Sequence, residues 1–224
     1  MKKFLFLLCC FVVTLSGWSQ NGREYIRQQI GYHNECKNVA ITRTNGDAML
    51  YGTNGWAAQG CPIGFTDALH KLNDNGDLID DIQLTEYGRW LILYGNNGIL
   101  WSDIPYSLEN KLREYNSNGE IITSVTFNDA GNWIVISQRY VSASDGWIRE
   151  WLKDGTDKFG QLWAACITDD AMVAVYAQGY KFYGNVPQSL KDALDETSKD
   201  IYRIKIAGSH WFIADKYGWY RYKM

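Results

Sequence analysis

The sequence predicts an α/β repeat protein of five strand-strand-strand-helix units, closed into a five-fold pseudo-symmetric ring. Three observations carry this. First, alternating triplets, Val39-Ala40-Ile41, Ile82-Gln83-Leu84, Val125-Thr126-Phe127, Ala165-Cys166-Ile167 and Ile204-Lys205-Ile206, recur at intervals of 43, 43, 40 and 39 residues. Periods of this length mark repeat architectures. Second, each triplet is followed by a turn and then by a run apolar on both faces: DAMLY, WLILY, WIVIS, VAVYA or WFIAD. Third, the last unit stops at its third strand, whereas the chain opens with a helical pattern that has no strand of its own.

The elements follow in order. Met1-Lys2-Lys3 and the apolar run from Phe4 to Leu15 read as a signal peptide over residues 1–19, with Gly17 and Ser19 before the cleavage point and Gln20 as the mature start. The run is too short to span a bilayer. Acylation at Cys9 or Cys10 is the alternative, but Phe6-Leu7-Leu8 lacks the small residues such a site needs. Residues 20–224 then form a single five-repeat domain in an extracytoplasmic compartment, periplasmic or secreted. Losing two lysines and no acid takes the formal charge from -3 to -5. A mildly acidic chain without a basic run gives no support for a nucleic-acid partner, or for a membrane partner once the signal is removed.

REYIRQQI at 23–30 has helical spacing. Leu69, Leu112 and Leu152 each lie 13 residues before a first-strand anchor, and Ile26 lies 13 before Val39. The N-terminal helix therefore fills the slot that the fifth unit lacks, which is what closure of a ring requires. Closure removes exposed sheet edges between units. An open solenoid would need distinct polar caps instead.

The anchors Val39, Ile82, Val125, Ala165 and Ile204 open a half-buried first strand with a mostly polar centre. The second, doubly apolar strand suits the middle of a sheet covered on each side. A second turn is read at Asn54-Gly55, Asn97-Gly98, Asp145-Gly146, Gln178-Gly179 and Tyr217-Gly218, where Asn-Gly and Asp-Gly tolerate positive φ. Trp56, Ile99, Trp147, Tyr180 and Trp219 then open a short third strand. Pro62, Pro105 and Pro187 announce the helices, and WIREWLKD replaces that signal in the third unit.

In unit order and count this arrangement resembles the pentein-type α/β propeller. A five-bladed β-propeller with helical insertions is the alternative. The pentein resemblance implies an enzyme that modifies guanidino groups with a nucleophilic Cys, a His and paired acids. Of the thiols left after signal removal, Cys36, Cys61 and Cys166, none lies in the final unit, where those enzymes usually carry the nucleophile. His33, His70 and His210 fall at different phases of the repeat and read as structural. No catalytic signature such as GxSxG or HExxH is present.

Glu114 to Ile121 looks like a calcium loop but has Val125 where the bidentate Glu belongs, and Lys71 occupies the first ligand position of the matching stretch before Gly76. Helix-ending turns explain both. Asp80-Asp81 and Asp169-Asp170 read as solvated turn acids. No metal or cofactor is expected. Trp56, Trp147, Tyr180 and Trp219, at equivalent places in a ring, are the candidate ligand-binding column, with packing between units as the competing role. Trp90, Trp133 and Trp211 read as core. The functional expectation is an exported, non-catalytic binding protein for a glycan or an extracellular protein. A hydrolase or guanidino-modifying enzyme, or a structural part of a cell-surface assembly, is the alternative.

Overall fold

The computed structural model describes residues 21–44 and 46–224, so the signal-peptide reading lies outside the described residues. Helix α1 (Gly22–His33) opens with Asn21, whose side chain accepts from Arg23 N at 2.8 Å, and closes at Asn34 in the left-handed region. Four units of three strands and a helix follow. The first holds β1 (Asn38–Ala40), β2 (Asp47–Tyr51), β3 (Gly55–Gln59) and α2 (Ile63–Asp74). The second holds β4 (Ile79–Leu84), β5 (Trp90–Tyr94), β6 (Gly98–Ser102) and α3 (Tyr106–Ser117). The third holds β7 (Ile122–Phe127), β8 (Trp133–Ser137), β9 (Val141–Ala143) and α4 (Gly146–Phe159). The fourth holds β10 (Leu162–Ile167), β11 (Ala171–Tyr176), β12 (Gly179–Gly184) and α5 (Gln188–Glu196). A fifth sheet, β13 (Arg203–Ala207), β14 (His210–Ala214) and β15 (Tyr220–Lys223), ends the chain. Every sheet is antiparallel in sequence order, as in Val39↔Met49↔Ala57, and none of the five sheets is itself closed.

The doubly apolar second strands have a simple cause. Ala48 and Leu50 of β2 join α2 and the second sheet in one hydrophobic cluster, whereas Met49 between them joins α1 and the fifth sheet in another. In β5, Ile92 faces the α2 cluster while Leu91 and Leu93 face the α3 cluster. The same partition recurs in β8, β11 and β14. Each helix thus sits between two successive sheets, with Leu69, Leu112, Leu152 and Leu190 buried at the contacts. Burying one such side chain is worth about 1.5–3 kcal/mol. Helix α1 does the same between the fifth sheet and the first, where Ile26 and Ile30 meet Phe212, Val39 and Met49. Arg23 fastens it further through a buried ion pair with Asp47 at 2.6 Å. The first strands adjoin in the order β1, β4, β7, β10, β13, and β13 also reaches β1.

Two readings of the turns need correction. Gly55 and Gly98 lack positive φ; the left-handed residues are Gly52, Gly95 and Asn97. Glycine is required because the Tyr51 and Tyr94 rings lie over it, so that an added Cβ would come within 2.4 Å of either ring. Asn54 and Asn97 instead accept from the backbone N–H of Ile79 and Ile122, each at 3.1 Å, and so pin the start of the next unit. In the third unit Asp145-Gly146 is no hairpin turn. Asp145 caps α4 by accepting from Trp147 N at 2.9 Å, and the hairpin lies earlier, where Ser137 Oγ accepts from Tyr140 N. A residue that caps a helix and one that bends a hairpin are drawn from the same types, and capping won here.

Candidate functional site

The polar centres of the first strands do not face water. Gln83, Thr126, Cys166 and Lys205, one residue after their anchors, are buried, as are Asn38, Asp81 and Ser124, one residue before. The first strands lie side by side, so this face of each is covered by its neighbours. Lys205 Nζ donates to Asp81 Oδ1 at 2.8 Å, to Gln83 Oε1 at 3.1 Å and to the Ile82 carbonyl at 3.0 Å, tying the fifth unit to the second. Asp81 also accepts from Asn38 Nδ2 at 2.6 Å and Ser124 Oγ at 3.2 Å. Burial alone would raise the Asp81 carboxyl, but the Lys205 and Arg203 charges and these hydrogen bonds outweigh it and hold it below the usual range. Asp81 is therefore a buried structural ion and not the solvated turn acid its neighbourhood suggested.

At the end where the first strands finish, the position four after each anchor carries Arg43, Glu86, Asp129, Asp169 or Gly208. Glu86 accepts from Arg43 N at 2.8 Å, Asp129 from Tyr87 N at 3.1 Å and Asp169 from Ala130 N at 3.3 Å. Each carboxylate thus holds the loop of the preceding unit. Asp170 pairs with Arg43 of the first unit. Burial pushes the Asp170 carboxyl up, yet hydrogen bonds from Asn185 and Thr168 and the Arg43 charge bring it below its ordinary value. The depression at this end, lined from all five units, holds only about 50 Å3.

The opposite end is built differently. Two residues before the anchors stand Lys37, Asp80, Thr123, Trp163 and Tyr202. In the second, third and fourth units the pairing register shifts here, across Ile79/Asp81, Ile122/Ser124 and Leu162/Ala164. Such bulges re-aim side chains. A cleft of about 480 Å3 opens where the first, second and fifth units meet, lined by Lys37, Asp80, Tyr202, Arg203, Lys216 and Tyr217. That volume suits a small ligand. Trp163 stacks on Tyr202 with ring centroids 5.1 Å apart, and Lys216 Nζ lies 4.9 Å from the Tyr202 ring and 5.2 Å from the Tyr217 ring. Asp80 is open to water along one edge, but burial by the cleft walls raises its carboxyl above the ordinary value despite the nearby Arg203 and Lys37 charges. Asp215 shapes the loop by accepting from Tyr217 N and Trp219 N at 2.7 and 2.8 Å. Another cleft of about 500 Å3, beside Glu120 and Arg139, lies between α3 of the second unit and the third sheet, and its principal charges are already paired.

The aromatic column divides. Trp56 packs on α2 and sits edge-on to His70 at 4.5 Å; Tyr180 donates its hydroxyl to the Leu194 carbonyl at 2.9 Å; Trp219 packs in the same cluster as Tyr180. Trp56 and Tyr180 lie in third strands and Trp219 just before one, and all three are half-buried. Trp147 is instead in the first turn of α4, 45% exposed, and tilts against exposed Tyr183 at 5.2 Å. The four do not share one surface, because the third unit's turn falls earlier than its Asp-Gly suggests. Trp133 and Trp211 are core, each donating its indole N–H to a first-turn serine, Ser107 or Ser189.

The thiols are poor nucleophiles. Cys36, Cys61 and Cys166 are free; burial pushes all three up, Cys61 to about 12. His33 stacks on Tyr51, and burial, then Arg23, lowers the His210 imidazole's affinity for a proton. Among the described residues no group of three or more His, Cys, Asp or Glu is arranged to hold a metal ion. The chain matches no model of a known protein family, and no curated protein matches it.

Proposed function

We propose that the five units close into a propeller-like ring of the pentein type, and that the protein is an exported, non-catalytic binding protein whose ligand, a glycan or an extracellular protein, occupies the cleft at the strand starts. The α1 cluster between the fifth and first sheets supports closure, as does Lys205 of the fifth unit reaching Asp81 of the second, 124 residues away. The observation that carries the functional reading is the cleft itself. It gathers charged side chains outside any ion pair and aromatic surface from three units, whereas the carboxylates at the other end are bonded to backbone N–H groups of the preceding unit. The guanidino-modifying alternative is disfavoured because a thiol held protonated by burial cannot attack.

The test is an array of glycans together with capture of extracellular proteins, run with the mature chain and with Tyr217→Ala. Tyr217 is 78% exposed, so the variant should fold normally. Binding that Tyr217→Ala weakens supports the cleft; binding that it and Lys216→Ala both leave unchanged contradicts it.

A further inference from the structure

Resting on the reading of this cleft as the binding site, we propose that its ligand is an acidic saccharide, a sugar chain bearing carboxylate groups. Lys37, Arg203 and Lys216 converge on the cleft, and none of them belongs to the ion pairs formed among the described residues. Three acids share the lining, Glu35, Asp80 and Asp215, and none is within ion-pair distance of these cations. Asp215 is turned inward onto two backbone N–H groups. Glu35 and Asp80 are the carboxylates left facing three cations, and the cleft disfavours the charged form of Asp80. The half-buried Arg203 donates from Nη1 to the Tyr202 carbonyl at 3.0 Å, and a ligand carboxylate can engage its remaining N–H donors as a pair.

The shape of the lining favours a saccharide over an acidic peptide. Tyr217 offers an exposed ring beside Lys216, a surface on which the flat apolar face of a pyranose can rest. A peptide in extended form would need backbone partners. Backbone N–H groups of three lining residues are already committed: Lys37 N donates to the Leu50 carbonyl, Tyr202 N to the Ala214 carbonyl and Ile79 N to Asn54 Oδ1. Side-chain charge and aromatic surface are what the cleft has to offer.

Calorimetric titration of the mature chain with trigalacturonate, with the same trisaccharide reduced to its neutral form, and with triglutamate tests this. Trigalacturonate should bind more tightly than either control by about 10-fold or more, and the more so at low salt. Lys37→Gln and Arg203→Gln should each weaken it by about 10-fold, while Asp80→Asn should tighten it by removing an opposing carboxylate. Lys37 is exposed, so its variant reports on binding even if Arg203→Gln disturbs the fold. Equal binding of the neutral trisaccharide overturns the charge assignment while leaving the cleft as a glycan site. Preference for triglutamate overturns the saccharide. Failure of all three probes, with a different array ligand still sensitive to Tyr217→Ala, overturns the acidic-saccharide assignment and spares the cleft.

Discussion

The two ends of the first strands solve opposite problems with residues at matching positions. Where the strands finish, Glu86, Asp129 and Asp169 repeat one device, a carboxylate accepting a backbone N–H from the unit before. Where they begin, Lys37, Asp80, Thr123, Trp163 and Tyr202 repeat nothing, and three of them stand at register shifts. Adhesion between units is a requirement every unit shares, so its solution recurs. A ligand is a single asymmetric object, and a site for it must break the repeat. Departure from the repeat, rather than its persistence, therefore marks the surface worth testing.

The largest effect should come from the seam between the last sheet and the first. Deleting residues 21–36, or introducing Ile26→Asp, strips or charges a helix face that meets Phe212 and Met49. Several side chains worth about 1.5–3 kcal/mol each are involved, against a typical stability of about 5–15 kcal/mol. The deleted protein should be unfolded or aggregated by circular dichroism, and cooperative melting near the wild-type temperature would break the proposed closure.

Next comes the buried ion pair between the two ends. Lys205→Ala leaves Asp81 charged and unpaired and should cost about 3–5 kcal/mol in urea unfolding. The pH dependence has a definite sign. The Asp81 carboxyl is depressed in the folded protein. Its contribution is thus fully present above the unfolded value of about 3.9 and fades as pH falls through the lower folded value. The stability difference between wild type and Asp81→Asn should be flat from about pH 5 to 8 and shrink only in stronger acid. A difference that grows on acidification would mean that Asp81 is protonated in the fold.

A smaller effect is expected at Asn97, which accepts from Ile122 N, donates to the Glu120 carbonyl and has φ 92. Asn97→Gly removes the bonds but tolerates the backbone, so it should cost about 1–2 kcal/mol, and Asn97→Ala more because it adds strain. Equal costs would assign the residue's role to the bonds alone. The smallest stability change, under about 1 kcal/mol, belongs to Trp147→Ala, since the ring is partly exposed on a helix surface. A loss of several kcal/mol there would return Trp147 to the packed core.

Much of the architecture was legible because periodicity encodes it directly. The first-strand anchors, the doubly apolar second strands, the Pro-led helices and the N-terminal helix in the vacant slot all rest on local spacing, and the structure has five units of three antiparallel strands with their helices. The third unit's hairpin was hidden, since Ser137 to Tyr140 contains no glycine and Asp145-Gly146 imitated a turn. The candidate site was scarcely legible. Asp81 and Lys205 are 124 residues apart, and nothing local says that a polar residue in a first strand faces another strand rather than water. Lys37, Asp80 and Arg203 share a phase of the repeat or adjoin it. Dissimilarity among the residues at that phase, rather than a repeated aromatic, is the signal the sequence holds.

The contrast between the two ends is tested most directly by one pair of denaturation curves. The triple variant Glu86→Gln, Asp129→Asn, Asp169→Asn removes the repeated carboxylates, and Lys37→Gln, Asp80→Asn, Lys216→Gln alters the other end to the same extent. Urea unfolding should show the first triple destabilised by roughly 2–4 kcal/mol, from charge-assisted bonds to backbone N–H groups. The second should stay within about 0.5 kcal/mol of wild type. Equal losses, or a greater loss at the strand starts, would contradict the proposed division of the molecule into an adhesive end and a binding end.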